Sequence, residues 1–92
     1  MAAGDFIGDV LTISSGGSIT IQPPSGAHWI IHNLYWSDDV EISVTDGSTE
    51  VLFHSSSYKG CLLSVWIHLS DSQYLKVSSS SGCNFAYDGV EA

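Results

Sequence analysis

The chain has 92 residues, 43% of them hydrophobic, with ten acidic against two basic residues and a formal net charge of −8. That length is one domain. Lys59 and Lys76 alone cannot neutralise a phosphate backbone, which excludes a nucleic-acid binder and argues against an anionic membrane surface. No apolar run approaches the roughly 18 residues of a membrane-spanning helix. The opening Met1-Ala2-Ala3-Gly4-Asp5 lacks a basic region followed by an apolar core, so no secretory signal is expected and synthesis should be cytosolic. A domain this small buries roughly 64% of its extended surface, so contact with a partner subunit would add appreciably to its stability.

In chain order, residues 1–5 are expected to form a flexible N-terminal segment and residues 6–92 a β-sandwich domain. Phe6 to Ser14, interrupted by Gly8, reads as a first, bulged strand or as an ordered N-terminal arm. After a turn at Ser15-Gly16-Gly17, Ser18-Ile19-Thr20-Ile21-Gln22 alternates polar and apolar, the period of a half-buried strand. Pro23 and Pro24 lack the N–H that a ladder needs, so the chain should leave the sheet there.

Ala27 to Trp36 is the densest apolar run and reads as a long central strand. Strict alternation puts Trp29, Ile31, Asn33 and Tyr35 on one face and His28, Ile30, His32, Leu34 and Trp36 on the other. Neither face is cleanly polar, as expected of a strand covered on both faces, or covered on one by another subunit. Val40 to Thr45 alternates without error, Asp46-Gly47 signals a hairpin, and Glu50 to His54 rises again. Cys61 to Leu69 is read as one long strand with Leu63, Val65, Ile67 and Leu69 facing the core and Leu62, Ser64, Trp66 and His68 opposite. Tyr74 to Val77 and Cys83 to Tyr87 complete the set, with Asp88-Gly89 as a closing turn. Seven or eight short strands separated by polar turns imply an all-β, antiparallel sandwich or jelly roll.

The candidate chemistry is thin. His28 and His32 share a strand face but lie roughly 13 Å apart along it, too far to share one zinc ion with ligand bonds of ~2.0–2.1 Å. His54 and His68 belong to other strands, so the histidines read as structural or interfacial and no metal site is expected. Asp38, Asp39 and Glu41 do not match an EF-hand loop, and acidic turns are ordinary in β proteins. Cys61 and Cys83 lack the spacing of a metal or redox motif; they read as two small buried residues, with a cross-strand disulfide the alternative. No nucleophile elbow or Cys/His pairing is present, so neither enzymatic activity nor a cofactor is expected.

The tryptophans are more informative: Trp29, Trp36 and Trp66 could be core, subunit contacts or a carbohydrate-stacking platform. Trp36 and Trp66 fall on the less core-facing sides of their strands, and large aromatics there favour interfaces. With His68 and Phe6 they are the expected subunit or partner contacts.

The pattern Ile19-Thr20-Ile21-Gln22-Pro23-Pro24-x-Gly26-x-x-Trp29-x-Ile31, followed by Tyr74-Leu75-Lys76-Val77 and Tyr87-Asp88-Gly89-Val90, resembles small structural β proteins of tailed bacteriophages, most of all capsid decoration (cement) proteins. The resemblance implies a sandwich or jelly-roll protomer, often trimeric, that binds capsid protein on the outer surface of the virion and stiffens the shell without a cofactor. It implies synthesis in the host cytoplasm. An alternative of a different class is a tail-associated receptor- or glycan-binding module using Trp and Tyr.

Overall fold

The structure, a computed structural model, describes residues 4–92. Among the described residues there are nine strands: β1 (Phe6–Ile13), β2 (Gly17–Ile21), β3 (His28–Trp36), β4 (Val40–Thr45), β5 (Glu50–Ser56), β6 (Gly60–Leu62), β7 (Ile67–Ser70), β8 (Tyr74–Ser79) and β9 (Cys83–Glu91). No described residue is helical, and no helix is long and apolar enough to cross a membrane. One sheet runs β1-β9-β3, with β6 and β7 both on the far side of β3; the other runs β2-β8-β4-β5. All pairings are antiparallel. Taken as one interrupted strand, β6 and β7 make this an eight-stranded jelly roll, in which every connection but the β4–β5 hairpin and the β6–β7 interruption crosses between sheets. The antiparallel sandwich expected from serial short strands is therefore the fold.

The core lies between the sheets. Ile31, Leu34, Leu69 and Phe85 of the first sheet meet Ile21, Val40, Ile42, Leu75 and Val77 from the second. β3 organises this core, as its apolar density predicts, because it pairs β9 on one side and β6 and β7 on the other.

Three local expectations are corrected, all of them around one irregularity in β3. The register between β3 and β9 shifts between Ile31 and Asn33, so His32 is an extra residue, a β-bulge. A bulge inverts the alternation beyond it. Trp29 and Ile31 face inward before it, and Leu34 and Trp36 face inward after it. Trp36, expected on the interface side, is therefore a core residue at 6% exposure.

Across the sheet the neighbouring strand is also broken. Cys61 to Leu69 is two pieces, because residues 63–66 loop out around Ser64, whose φ of 57° is left-handed. Leu63, expected in the core, is consequently exposed. On the other side Asp88-Gly89 is no turn but the interior of β9, and Ile31 pairs with Gly89 at the bulge. A Cβ on Gly89 would run into the Ile30 carbonyl oxygen, which explains a glycine in mid-strand.

Of the five residues expected to be a flexible segment, residues 1–3 lie outside the described residues. The Gly4 N–H donates to the Glu91 carbonyl at 2.7 Å, and the Asp5 carbonyl accepts from the Glu91 N–H at 2.8 Å, which prolongs the β1–β9 edge. The two cysteines are free thiols, Cys83 buried as expected but Cys61 exposed on β6.

Candidate functional site

The outward face of the five-stranded sheet carries most of the residues that the sequence marks as contacts. Strand register aligns Phe6 with Val90, Val90 with Ile30, and Ile30 with His68, a single row crossing four strands. Such a row is roughly 14 Å long, at about 4.8 Å per strand. A second row, Val10–Ala86–Tyr35–Cys61, runs parallel to it, with Gly8, Asp88 and Asn33 in the row between. Phe6 is 90% exposed, Val10 74% and Trp66 72%. Trp66 stands in the loop between β6 and β7 and meets the His32 ring edge-on, centroids 5.1 Å apart.

Phe6, Trp66 and His68 are thus brought to one side of one sheet. Trp36 is not among them. Its indole Nε1 donates to the Tyr58 carbonyl at 3.0 Å, and its ring stacks on Phe85 at 6.4 Å and approaches His54 at 5.2 Å. Every polar and apolar part of that side chain is satisfied within the protomer.

Charge is nearly absent from this face. Among the described outward-facing strand positions of the sheet, Asp88 is the one carboxylate, and both its oxygens are engaged. The Asn33 amide donates to Oδ1 at 2.6 Å and the Tyr35 hydroxyl to Oδ2 at 3.0 Å. That bond to Asp88, with lesser contributions from burial and from the charges of Asp88 and Cys61, holds the Tyr35 phenol above its ordinary pKa. Asp38, Asp39, Asp46, Glu50 and Asp71 lie in or beside the turns, and Glu41 on β4 of the other sheet.

Asp39 illustrates what the acidic turns do. Its carboxylate accepts from the hydroxyls of Ser79 and Ser80 and from the N–H groups of Ser80 and Ser81. The Ser80 hydroxyl and N–H, then Ser81, hold it well below the usual carboxylate range. It ties the β3–β4 connection to the β8–β9 turn. No group of three or more His, Cys, Asp or Glu that could hold a metal ion occurs among the described residues. A concavity of about 450 Å³ beside Asp39 is lined by serines 55–57 and 78–80 with no histidine to activate them.

The sequence reading missed one juxtaposition. His28 and His68, 40 positions apart, stand on adjacent strands with ring centroids 5.6 Å apart. Only the β3–β7 register, with His28 opposite Ser70 and Ile30 opposite His68, reveals them as diagonal neighbours.

The resulting unit is a small antiparallel β sandwich with one apolar, histidine-bearing sheet face turned to solvent. No family model matches the sequence, and no curated protein does. Among solved structures it is similar to the nucleoplasmin-like N-terminal domain of Drosophila FKBP39, with a TM-score of 0.65 and 8% identity, covering 99% of this chain and 91% of that one. The Yersinia pseudotuberculosis-derived mitogen YPM aligns with a TM-score of 0.39 and 14% identity, covering 95% and 86% of the two chains. The first likeness is one of fold: two packed antiparallel sheets.

Proposed function

We propose that the protein is a non-enzymatic structural subunit that self-associates through the outer face of the five-stranded sheet. The row Phe6–Val90–Ile30–His68, flanked by Val10 and Trp66, carries this reading. Large aromatics standing free on a nearly uncharged face favour a protein contact over solvent. The charge distribution favours a second copy as the occupant. Two chains of net charge −8 repel, and this face lets them meet with one carboxylate each, already hydrogen-bonded.

The phage resemblance gives the assembly a place to work: a homotrimer clamped on capsid subunits as a decoration protein, adding contact area at junctions of the shell. A second surface is free for the capsid partner. β5 is an edge strand paired only with β4, and Val51, Leu52 and Phe53 are exposed in succession along it. An open apolar edge can accept a strand from a neighbour.

Light scattering coupled to size exclusion tests the assembly. The expected result is an oligomer that Trp66→Ala and Phe6→Ala shift toward monomer while the fold is kept. A stable monomer that binds on a glycan array would replace this reading with the adhesion module. Electron microscopy of purified particles then tests the location.

A further inference from the structure

We propose that His28 and His68 form a binding site for a divalent transition-metal ion of the Zn²⁺, Ni²⁺ and Cu²⁺ class, with the remaining ligand positions taken by water. The site stands on geometry within one protomer, and because His68 also ends the row proposed for self-association, the two readings share that residue.

The two imidazoles come from adjacent strands and stand 5.6 Å apart, centre to centre, at 70° between planes. With metal–nitrogen bonds of ~2.0–2.1 Å and each ring centre about 1.1 Å beyond its nitrogen, two imidazoles bound at a tetrahedral angle sit roughly 5.2 Å apart. The rings meet edge to face, so ring rotation that turns one nitrogen of each to a common point, with a shift of a few tenths of an ångström, closes that difference. None of the side-chain hydrogen bonds among the described residues engages either ring, so a nitrogen lone pair on each is open to coordination.

Space and field also favour an ion here. His28 and His68 line one concavity of about 320 Å³ together with Ser70 and Gln73, roomy enough for an ion and its waters. The net charge of −8 raises the local concentration of cations. Imidazole selects ions of this class over Mg²⁺ and Ca²⁺, which take oxygen ligands. His32 cannot join, since it lies along the strand at about 13 Å from His28, and its ring is turned to Trp66.

Equilibrium dialysis of the intact chain against Ni²⁺, with Mg²⁺ as the counter-probe, measures stoichiometry and affinity. Paramagnetic broadening of amide signals by substoichiometric Ni²⁺ locates the ion. One Ni²⁺ per chain is expected, with broadening centred on residues 27–30 and 67–70. His28→Ala and His68→Ala should each weaken binding at least about tenfold, because even a residue that only orients a metal ligand is worth about 10–100-fold in affinity. Both side chains are exposed, so the fold should survive, and His54→Ala should leave binding unchanged. Absence of saturable Ni²⁺ binding, broadening centred elsewhere, or equal effects of all three substitutions would overturn the site.

Discussion

Asn33 on β3 joins β9 and the β6–β7 loop, which the bulge at His32 would otherwise leave loosely connected, and its bond to Asp88 is the shorter of the two. The amide donates to Asp88 Oδ1 on β9 at 2.6 Å, while its oxygen receives the Ser64 N–H of the β6–β7 loop at 3.1 Å. The Val65 N–H completes the clasp by donating to the His32 carbonyl at 2.9 Å. One half-buried side chain therefore secures both irregularities. Asn33→Ala should cost about 1–3 kcal/mol, the range for losing a hydrogen bond to a charged group and leaving its partner unsatisfied. Urea denaturation checks this, and hydrogen exchange should show the Ser64 amide losing protection first. An unchanged midpoint would mean that the bulge holds without its clasp.

Gly89 makes the same bulge sterically feasible from the opposite strand. A methyl group there meets the Ile30 carbonyl and comes within 3.0 Å of the Ile31 Cα, both backbone atoms that cannot swing aside. Gly89→Ala should therefore cost about 3 kcal/mol or more, at the upper end of the range for overpacking. Gly8→Ala on β1 is a fair comparison, since its nearest obstacle, the Tyr87 carbonyl, lies at an edge pairing that can shift. Chemical denaturation should rank Gly89→Ala as the more damaging, and the reverse order would contradict the close approach.

The alternating runs at Ser18 to Gln22 and Val40 to Thr45, the Asp46-Gly47 hairpin and the two-proline break were all legible because each is a local signal, and each falls where the pattern places it. The bulge was not legible, because an inserted residue in β3 is defined only by the strand it opposes. His32 looks like any other member of the alternation until β9 is laid beside it. From that one slip follows the misplacement of Trp36, whereas Asp88-Gly89 reads as a turn because the dipeptide is itself a local turn signal. The break at Ser64 answers the same bulge from β6 and β7, and it too is invisible without the pairing. Phe6, Trp66 and His68 could be singled out because bulky or ring-bearing residues on the wrong side of a strand stand out, and the structure leaves all three exposed. The His28–His68 pair was not, because its geometry exists only across strands.

The two misfit tryptophans should separate cleanly under substitution. Trp36 is 6% exposed and Trp66 72% exposed. Trp36→Ala removes a stacked core ring and its bond to the Tyr58 carbonyl, which should cost about 3–5 kcal/mol. Trp66→Ala gives up only an edge contact with His32 and should stay within about 0.5 kcal/mol for the isolated protomer. Denaturation at low protein concentration measures both. A large loss for Trp66→Ala that grows with concentration would be a subunit effect, whereas a large loss independent of concentration would place that ring in the fold itself.

Three shifted hydrogen-bonded groups, two carboxylates and one phenol, set opposite limbs of the pH profile. The Asp39 carboxylate is held low by Ser80 and Ser81, and the Asp46 carboxylate is held low by the N–H groups of Thr49 and Ser48. A group depressed in the folded state contributes stability that is complete above its unfolded value, about 3.9 for Asp, and that is lost as pH falls through the folded value. Tyr35 is the reverse case. Its phenol is raised by donating to Asp88, so its contribution is complete below the unfolded value, about 10, and is lost as pH rises through the folded one. Thermal melts from pH 2 to 11 should therefore show Asp39→Asn lowering the melting temperature at neutral pH while flattening the fall below about pH 4. Tyr35→Phe should flatten the alkaline fall above about pH 10 and leave the acid limb alone. Two variants whose profiles run parallel to the parent's at both ends would show that neither carboxylate turn nor phenol bond is formed in solution.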